Sequence, residues 1–457
     1  MTVAFLDALR AALPGLRLTD DPADLEAHRR DETPYLEPPA PLAVAFPAST
    51  AEVAGIVRLA AAHRVPLVPR GAATGLSGGS IAAAGGLTVS LLRMDRILEI
   101  DEENRAAVVQ PGVVNHDLAT AAAEHGLLYA PDPASYETCT IGGNLATNAG
   151  GLCCVKYGTT RDAVLSLEVV LADGAVIRTG GRNVKDVAGY DLAGLFVGSM
   201  GTLGIITEAT LRLVPMPAPK RTLLAFFPTI EASGEAVAGM IRDGVQPCTL
   251  ELMDAFTIHA VNAAYGLGLD EDAAAMLLVE SDLAGAAGSE ELDRAERACT
   301  RAGSGLLVRA QDAAEADLLR QGRRMAHRAL ETMGVSRMED VVVPRSRVPD
   351  LLRAIHAIGE RRGMRIGVFG HAGDGNLHPC FVFDREDPAA SARLHEARDD
   401  LLRAALDLGG SVTGEHGIGV VKRDYLEATR GPDAVRAMRA IKAALDPLGI
   451  LNPGKVL

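Results

Sequence analysis

Short apolar runs separated by Gly, Pro and polar residues characterise the chain from residue 38 to residue 214. Such runs predict strands at 41–46 and 65–69, a hairpin formed by 97–100 and 106–110, and a strand pair within 164–177 that turns at 172–174. Between the first two runs, residues 50–62 place Val53, Ile56 and Val57 at the spacing of one helix face. Residues 1–37, in contrast, mix charged and apolar positions in a way that predicts a short helical segment.

A different pattern begins after the proline-rich stretch 215–219, which predicts a connector between domains. Beyond it, apolar strands at 223–227, 275–280 and 305–310 alternate with helices rich in Ala, Glu and Arg. This alternation allows antiparallel pairing and favours an α+β domain over a doubly wound dinucleotide-binding sheet. We therefore predict an α+β fold, in which residues 38–217 and 218–457 form two domains after the N-terminal segment 1–37.

Composition excludes several classes of function. The 457 residues are 48% hydrophobic and carry 45 Lys and Arg against 59 Asp and Glu, a net charge of −14 with no basic run. Nucleic acid and anionic membranes are therefore poor partners for this chain. The six cysteines form no C-x-x-C pair, which argues against a zinc ribbon or an iron–sulfur cluster. Asp7 and Arg10 interrupt the first apolar stretch, so we expect a cytoplasmic protein whose membrane association, if any, runs through a partner.

Three glycine-rich, sparsely charged segments interrupt the strands of the first domain. The first spans residues 69–80 and directly follows a predicted strand, and the others span 131–151 and 198–208. Glycine lets backbone N–H groups approach a diphosphate closely, although neither a G-x-G-x-x-G nor a Walker A pattern is present. Any one segment is equally typical of a flexible turn. Three of them cost much folding entropy, which close packing against a large planar ligand would offset.

In their order along the chain and in their amino-acid sequences, these segments resemble the FAD-binding domain of the vanillyl-alcohol oxidase / p-cresol methylhydroxylase superfamily. More narrowly, residues 38–457 resemble the D-2-hydroxyacid dehydrogenase branch, which includes the glycolate oxidase flavoprotein subunit and FAD-linked D-lactate dehydrogenases. The resemblance implies a two-part FAD-binding domain followed by a substrate (cap) domain, whose last ~45 residues return to the flavin. Ala73 and Met200 depart from the family pattern, which has Gly and Glu there.

The resemblance also implies which residues contact the cofactor. The segment 69–80 would hold the pyrophosphate, Thr140 to Asn144 would lie beside the isoalloxazine, and Asn452 would approach its edge. Because residues 69–80 contain neither His nor Cys, we expect FAD to be bound noncovalently. The complete set of expected FAD contacts is Pro69, Arg70, Gly71, Ala72, Ala73, Thr74, Gly75, Ser77, Pro131, Asp132, Thr140, Gly142, Gly143, Asn144, Ala149, Gly151, Gly201, Gly204, Ile206 and Asn452.

A second cluster lies in the C-terminal domain, in Gly370-His-Ala-Gly-Asp-Gly-Asn-Leu-His378 and Ser411-Val-Thr-Gly-Glu-His-Gly-Ile-Gly419. His371, His378 and Glu415 make a set of two imidazoles and one carboxylate, which suits Zn²⁺, Fe²⁺ or Mn²⁺. Two turn histidines and a helix-capping glutamate are the alternative interpretation. In metal-dependent relatives the matching positions are the three ligands and an adjacent catalytic histidine, so the resemblance implies His416 as the acid–base residue.

The resemblance also bears on the substrate. Arg323 matches an arginine that binds the substrate carboxylate in relatives, with Arg324 as the alternative, since several arginines crowd this helix. Met338 occupies the position where 2-hydroxyglutarate-type relatives have a lysine for a second carboxylate. We therefore expect a small monocarboxylate such as D-lactate or glycolate.

The combined prediction is an FAD-dependent enzyme that oxidises a D-2-hydroxy acid, passing hydride to flavin N5 with metal assistance and His416 as base. The alternatives are a noncatalytic flavin-binding subunit of a multi-subunit oxidase, a D-2-hydroxyglutarate-type dehydrogenase and a flavin-free metal-dependent hydrolase. The electron acceptor stays open among an iron–sulfur subunit, a quinone, a cytochrome and an electron-transfer flavoprotein, and a homodimer is one possible assembly.

Overall fold

A computed structural model describes residues 2–457 and divides the chain into two compact units. The first unit contains the residues up to Gly150 together with Gly158–Met216 and Glu415–Leu457. The second unit contains Gly151–Tyr157 and Pro217–Gly414. The chain therefore enters and leaves each unit more than once.

The strands in the described residues are short, and most of them alternate with helices. In chain order they are β1 (Arg17–Thr19), β2 (Ala43–Phe46), β3 (Leu67–Arg70), β4 (Leu87–Ser90), β5 (Ile97–Asp101), β6 (Ala106–Val109), β7 (Leu127–Leu128), β8 (Val164–Val170), β9 (Val176–Arg178), β10 (Ile205–Arg212), β11 (Val214–Pro215), β12 (Arg221–Phe227), β13 (Thr249–Asp254), β14 (Ala275–Ser281), β15 (Leu307–Arg309), β16 (Val335–Met338), β17 (Val341–Val342), β18 (Arg365–His371) and β19 (Asn376–Phe383).

The helices become longer in the second half of the chain. In chain order they are α1 (Thr2–Ala12), α2 (Pro22–Ala27), α3 (Thr50–His63), α4 (Asn115–Glu124), α5 (Ile141–Thr147), α6 (Cys154–Tyr157), α7 (Thr160–Ala163), α8 (Leu192–Phe196), α9 (Ile230–Arg242), α10 (Ala255–Tyr265), α11 (Gly285–Arg301), α12 (Ala313–Arg324), α13 (Ala326–Thr332), α14 (Val348–Arg362), α15 (Ala390–Asp407), α16 (Leu426–Arg430) and α17 (Pro432–Leu445). Among the described residues, no helix combines the length and apolar character that crossing a bilayer requires.

The first unit contains two main sheets. One has the strand order β1-β2-β4-β3, in which β2, β4 and β3 run parallel and β1 is antiparallel to β2. The other is antiparallel, in the order β5-β6-β10-β8-β9. A separate apolar cluster buries each sheet, and the cluster of the first includes Ile450 and Leu451 from the end of the chain. Leu451 pairs in parallel with Leu67, so the C-terminus extends the β3 edge.

The second unit is built on one antiparallel sheet in the order β15-β12-β14-β13-β18-β19-β16, with β17 also pairing β19. An apolar cluster on one face combines strand residues such as Met253 and Phe369 with Ile258 of α10 and Leu330 of α13. The α+β fold class and the antiparallel sheet of the second half are thus confirmed. The hairpins β5–β6 and β8–β9 and the helix α3 also form where the pattern placed them.

The N-terminal segment differs from the purely helical prediction, because it contains the strand β1 between α1 and α2. Arg17, Leu18 and Thr19 pair with the edge strand β2. Three residues are too few to show a period, and their strand conformation is stabilised by the pairing itself.

Candidate functional site

The three glycine-rich segments of the first unit surround one elongated cavity. It encloses about 1350 Å³, including the part open to solvent, and Glu415 and His416 also line it. Sixteen of the expected FAD contacts lie in its wall: Pro69, Arg70, Gly71, Ala72, Ala73, Thr74, Gly75, Ser77, Thr140, Gly142, Gly143, Asn144, Ala149, Gly201, Gly204 and Ile206. Most of the residues expected to contact FAD are therefore brought together around one cavity.

Four expected FAD contacts are not among the residues that line this cavity. Gly151 belongs to the second unit, and Asp132 is not among the residues of the cavity wall. The Pro131 carbonyl accepts a hydrogen bond from Asn115, 3.1 Å from its Nδ2. The amide of Asn452 is buried and bonds to the protein backbone. Lining residues that the motifs did not indicate include Asp31, Leu91 and Pro111, which reach the cavity only through tertiary packing.

The backbone of the loop after β3 is available to a ligand. In the part of the chain that the structure describes, no N–H group of residues 71–79 donates a hydrogen bond to another protein group. Backbone N–H groups in folded proteins are nearly always paired, and successive unpaired ones form a recess for an anion. This loop therefore fits the pyrophosphate of a dinucleotide cofactor. Gly201 packs against the start of this loop at φ +67, where a Cβ would lie 2.4 Å from Pro69 Cγ.

Asn452 ties two parts of the cavity wall together. Its Nδ2 donates hydrogen bonds to the carbonyl oxygens of Gly79 (2.9 Å) and Met200 (2.6 Å), and both of those residues line the cavity. Asn452 is 1% exposed and adopts φ +39. Its backbone N–H donates to Leu67 O at 2.8 Å. Asn452 thus links Gly79 and Met200 of the cavity wall through its side chain.

A group of buried charges lies beneath the same loop. Asp31 accepts a hydrogen bond from the Ser80 N–H, and Lys455 Nζ donates to Ile81 O at 2.9 Å. Burial raises the pKa of the Asp31 carboxyl and lowers the pKa of Lys455 to about 8. Burial also lowers the pKa of Arg70, whose guanidinium donates to backbone carbonyls of the N-terminal segment. Asp31 and Arg70 also line the cavity, so charged groups lie both in its wall and next to the loop.

The segment after Glu415 is fastened to the same loop. Ser77 Oγ donates to His416 O at 2.9 Å, and the Val420 N–H donates to Ser77 O at 3.0 Å. Gly419 permits this approach, because it has φ +52 and a Cβ would lie 1.9 Å from Ser77 O. His416 Nε2 lies 3.9 Å from Glu415 Oε1. The backbone of His416 is therefore fixed at the wall of the cavity.

In the second unit, strand register places His371 and His378 on one face of the sheet. Phe369 of β18 pairs with His378 of β19, and His371 follows Phe369 by two residues, so all three side chains share a face. The two imidazole rings have centroids 5.2 Å apart at 88°, and one nitrogen of each lies within 4.8 Å of the other. Both residues are buried. Two buried imidazoles this close fit a transition-metal site.

Glu251 is a buried carboxylate on the same face that no motif indicated. It pairs with His371 across β13 and β18, and its Oε1 lies 2.7 Å from His371 Nδ1. Its Oε2 lies 2.6 Å from Nη2 of Arg323, which comes from α12 and stacks over the Phe369 ring at 4.9 Å. Burial alone would raise the pKa of Glu251, but the charges of His371 and Arg323 lower it below its ordinary value. Arg323 is thus held in place rather than solvated.

Asp340 connects the two halves of the histidine and glutamate motifs. Its carboxylate accepts hydrogen bonds from Asn376 Nδ2 (2.6 Å), Thr413 Oγ1 (2.6 Å) and the Gly414 N–H (2.9 Å). Asn376 begins β19, and Gly414 directly precedes Glu415 in the chain. Asp340 therefore fixes the backbone from which Glu415 follows.

Cys139 is buried, and burial raises the pKa of its thiol. It is not among the residues that line the cavity, and the described lining residues include one histidine, His416, and no cysteine. A neutral thiol outside the wall is a poor nucleophile toward a ligand within it.

Comparison with known families gives two matches. The family of FAD linked oxidases, C-terminal domain, matches residues 216–456. The FAD binding domain family matches residues 41–180.

Relatives resemble the chain over nearly its whole length. The glycolate oxidase subunit GlcD of Bacillus subtilis (strain 168) is 44% identical over 93% of this chain and 91% of its own. A D-lactate dehydrogenase of Archaeoglobus fulgidus is 37% identical over 94% of this chain and 96% of its own. Among solved structures, p-cresol methylhydroxylase with substrate bound has a TM-score of 0.82 at 18% identity, covering 99% of this chain and 96% of that one. That last likeness concerns the fold alone.

Proposed function

The chain belongs to the family of FAD-linked oxidases. We propose that it binds FAD and a small D-2-hydroxy acid, and that its own residues position this substrate for oxidation by the flavin. The substrate is D-lactate or glycolate, and the product is the corresponding 2-oxo acid. The observation that carries the proposal is that one cavity combines three glycine-rich backbone segments with His416 in its wall. Such a wall offers both a cradle for a dinucleotide and a proton acceptor.

FAD is bound noncovalently in this cavity. The unpaired N–H groups of residues 71–79 would hold its pyrophosphate, and the α5 segment Thr140 to Asn144 would line the flavin ring. Thr140 caps α5, with its Oγ1 accepting from the Gly143 N–H at 3.3 Å, which fixes that stretch of backbone. When bound, FAD supplies the hydride-accepting chemistry. The absence of a cysteine from the described lining supports a noncovalent attachment.

His371, His378 and Glu415 would hold a divalent metal. The two buried imidazoles and the carboxylate that follows Gly414 form a ligand set suited to Zn²⁺, Mn²⁺ or Fe²⁺. When bound, such an ion supplies Lewis acidity that lowers the pKa of a hydroxyl group. His416 would accept the hydroxyl proton at its imidazole.

Arg323 binds the substrate carboxylate as a planar cation. Ion pairing with Glu251 and stacking on Phe369 fix the guanidinium plane, and a fixed plane favours bidentate recognition. Met338 is half-buried and packs at the edge of an apolar cluster, so this position offers no charge to a second carboxylate. This supports a monocarboxylate over D-2-hydroxyglutarate.

The electrons leave to a separate protein or small acceptor. None of the six cysteines forms a C-x-x-C pair, so we propose that a partner subunit or a quinone receives them.

Anaerobic titration with glycolate, D-lactate, L-lactate and D-2-hydroxyglutarate, following the flavin absorbance, tests the proposal. We expect D-lactate or glycolate to bleach the flavin, and L-lactate and D-2-hydroxyglutarate to leave it oxidised. A yellow protein that none of the four acids bleaches would favour a noncatalytic flavin subunit. A colourless protein that binds no FAD would contradict the proposal altogether.

The role of His416 has its own test. His416→Ala should retain FAD and metal while turnover falls about 100-fold or more, because the proton acceptor is lost. Turnover equal to that of the unaltered protein would remove His416 from the base role.

A further inference from the structure

Glu251 contacts both His371, a proposed metal ligand, and Arg323, the proposed substrate-binding arginine. It is 1% exposed, and each of its carboxylate oxygens faces a different partner. Oε1 lies 2.7 Å from Nδ1 of His371, and Oε2 lies 2.6 Å from Nη2 of Arg323. A buried carboxylate is retained only where its partners compensate for lost hydration, and here both partners belong to the proposed site.

We propose that Glu251 is a positioning residue that sets the tautomer of His371 and the orientation of Arg323 together. Because its carboxylate accepts a hydrogen bond from Nδ1, the proton of a neutral His371 lies on Nδ1, and Nε2 keeps the lone pair that binds a metal. The same carboxylate holds the guanidinium of Arg323 over the Phe369 ring. This inference rests on the proposed function, since it concerns the metal and the substrate carboxylate.

The strand register places Glu251 next to both residues that it is proposed to position. Glu251 faces His371 directly across β13 and β18, and Phe369 lies two residues before His371 on the same face. A substitution at Glu251 therefore changes the metal ligand and the substrate arginine through one side chain.

The chain contains a matched control for this arrangement. Glu280, on the neighbouring strand β14, is also buried and pairs with Arg320, three residues before Arg323 on α12, with Oε1 2.7 Å from Nη2. The Glu280 carboxylate contacts Lys220, Thr222 and Arg320 rather than a histidine. Both glutamates are thus buried partners of the same helix, and only Glu251 contacts a proposed metal ligand.

The experiment measures Zn²⁺ affinity of the FAD-loaded protein by competition with a chromophoric chelator. In Glu251→Gln we expect a 10- to 100-fold weaker affinity, because a neutral amide makes His371 a weaker ligand. In Glu280→Gln we expect affinity within threefold of the unaltered protein, although both variants lose an arginine ion pair. Equal weakening in both variants would show a general loss of packing and would overturn the inference.

Two further readouts separate Glu251 from the metal proposal itself. The ¹⁵N shifts of His371 should report the Nδ1–H tautomer in the metal-free protein and a mixture of tautomers in Glu251→Gln. The KM for D-lactate should rise in Glu251→Gln, since Arg323 loses its orientation. If His371→Ala loses Zn²⁺ while Glu251→Gln keeps full affinity, the metal site stands and the Glu251 inference is wrong. If His371→Ala binds Zn²⁺ as the unaltered protein does, the metal proposal fails first.

Discussion

Asn452, in the last segment of the chain, offers the sharpest test of how the cavity wall is stabilised. Replacing it with alanine removes two hydrogen bonds, from Nδ2 to the carbonyls of Gly79 and Met200, in a side chain that is 1% exposed. Both carbonyls belong to residues that line the cavity. The substitution therefore loosens the wall without placing any new atom inside it.

The cost can be worked out from these contacts. A buried acceptor that loses its donor costs about 1–3 kcal/mol, and two such losses at moderate values give about 3 kcal/mol. Asn452 also has φ +39, a conformation that asparagine tolerates better than alanine, which adds about 1 kcal/mol. We expect Asn452→Ala to lower the free energy of unfolding of the first unit by about 4 kcal/mol.

Urea unfolding of the FAD-free protein, followed by a probe in the first unit, measures this loss. The midpoint should fall while the slope stays unchanged, and FAD affinity should weaken because the loop containing Gly79 loses its tie. Asn104→Ala is the control, since the exposed Asn104 amide bonds only to Asp101 and should change stability by less than about 0.5 kcal/mol. A loss below about 1 kcal/mol in Asn452→Ala would refute the reasoning that these two bonds stabilise the wall.

Three further substitutions probe the same loop. The pKa of Lys455 is lowered from 10.5 to about 8, so between these pH values the unfolded chain holds more protons than the folded protein. The free energy of unfolding of the FAD-free protein should therefore rise by about 3 kcal/mol as the pH increases across that window. Lys455→Met should lose this rise in urea unfolding at pH 8 and pH 10. Ala73→Gly should stabilise by about 1 kcal/mol in thermal unfolding, because Ala73 has φ +61, and a decrease would contradict this. Gly419→Ala should lose FAD during gel filtration, because its Cβ would meet Ser77 O at 1.9 Å, and full FAD retention would contradict it.

Local pattern was sufficient for much of the fold. The helix Thr50–His63 and the hairpin Ile97–Asp101 with Ala106–Val109 follow from apolar spacing and turn residues, which act within a few positions of one another. The strand predicted at 65–69 lies at Leu67–Arg70, since its bounds depend on pairing with β4. The strand Arg17–Thr19 was missed because only its partner β2 gives it a reason to be extended.

The cavity was predictable for a different reason. Its wall is made by backbone, and glycine is visible in a sequence wherever backbone must come close to a ligand. Asp31 was not predictable in the same way, because a single aspartate in a charged segment has no distinguishing spacing. Asn452 could be singled out from its Asn-Pro-Gly context, but that context could not distinguish a contact to the flavin from a hydrogen bond to Gly79 and Met200.

The partners of the two buried glutamates could not be predicted from the sequence. Glu251 and Glu280 each lie in a fully buried, largely apolar strand, and a charge in such a strand indicates that a partner exists, since unpaired buried charges are too costly. Arg320 and Arg323 on α12 are candidate partners for both, so residue identity alone leaves two pairings. The side-chain contacts decide between them, because Arg323 pairs with Glu251 and Arg320 pairs with Glu280. Strand register then separates the two glutamates, since Glu251 faces His371 while Glu280 faces Thr249, and neither the pairing nor the register can be read from residue identity.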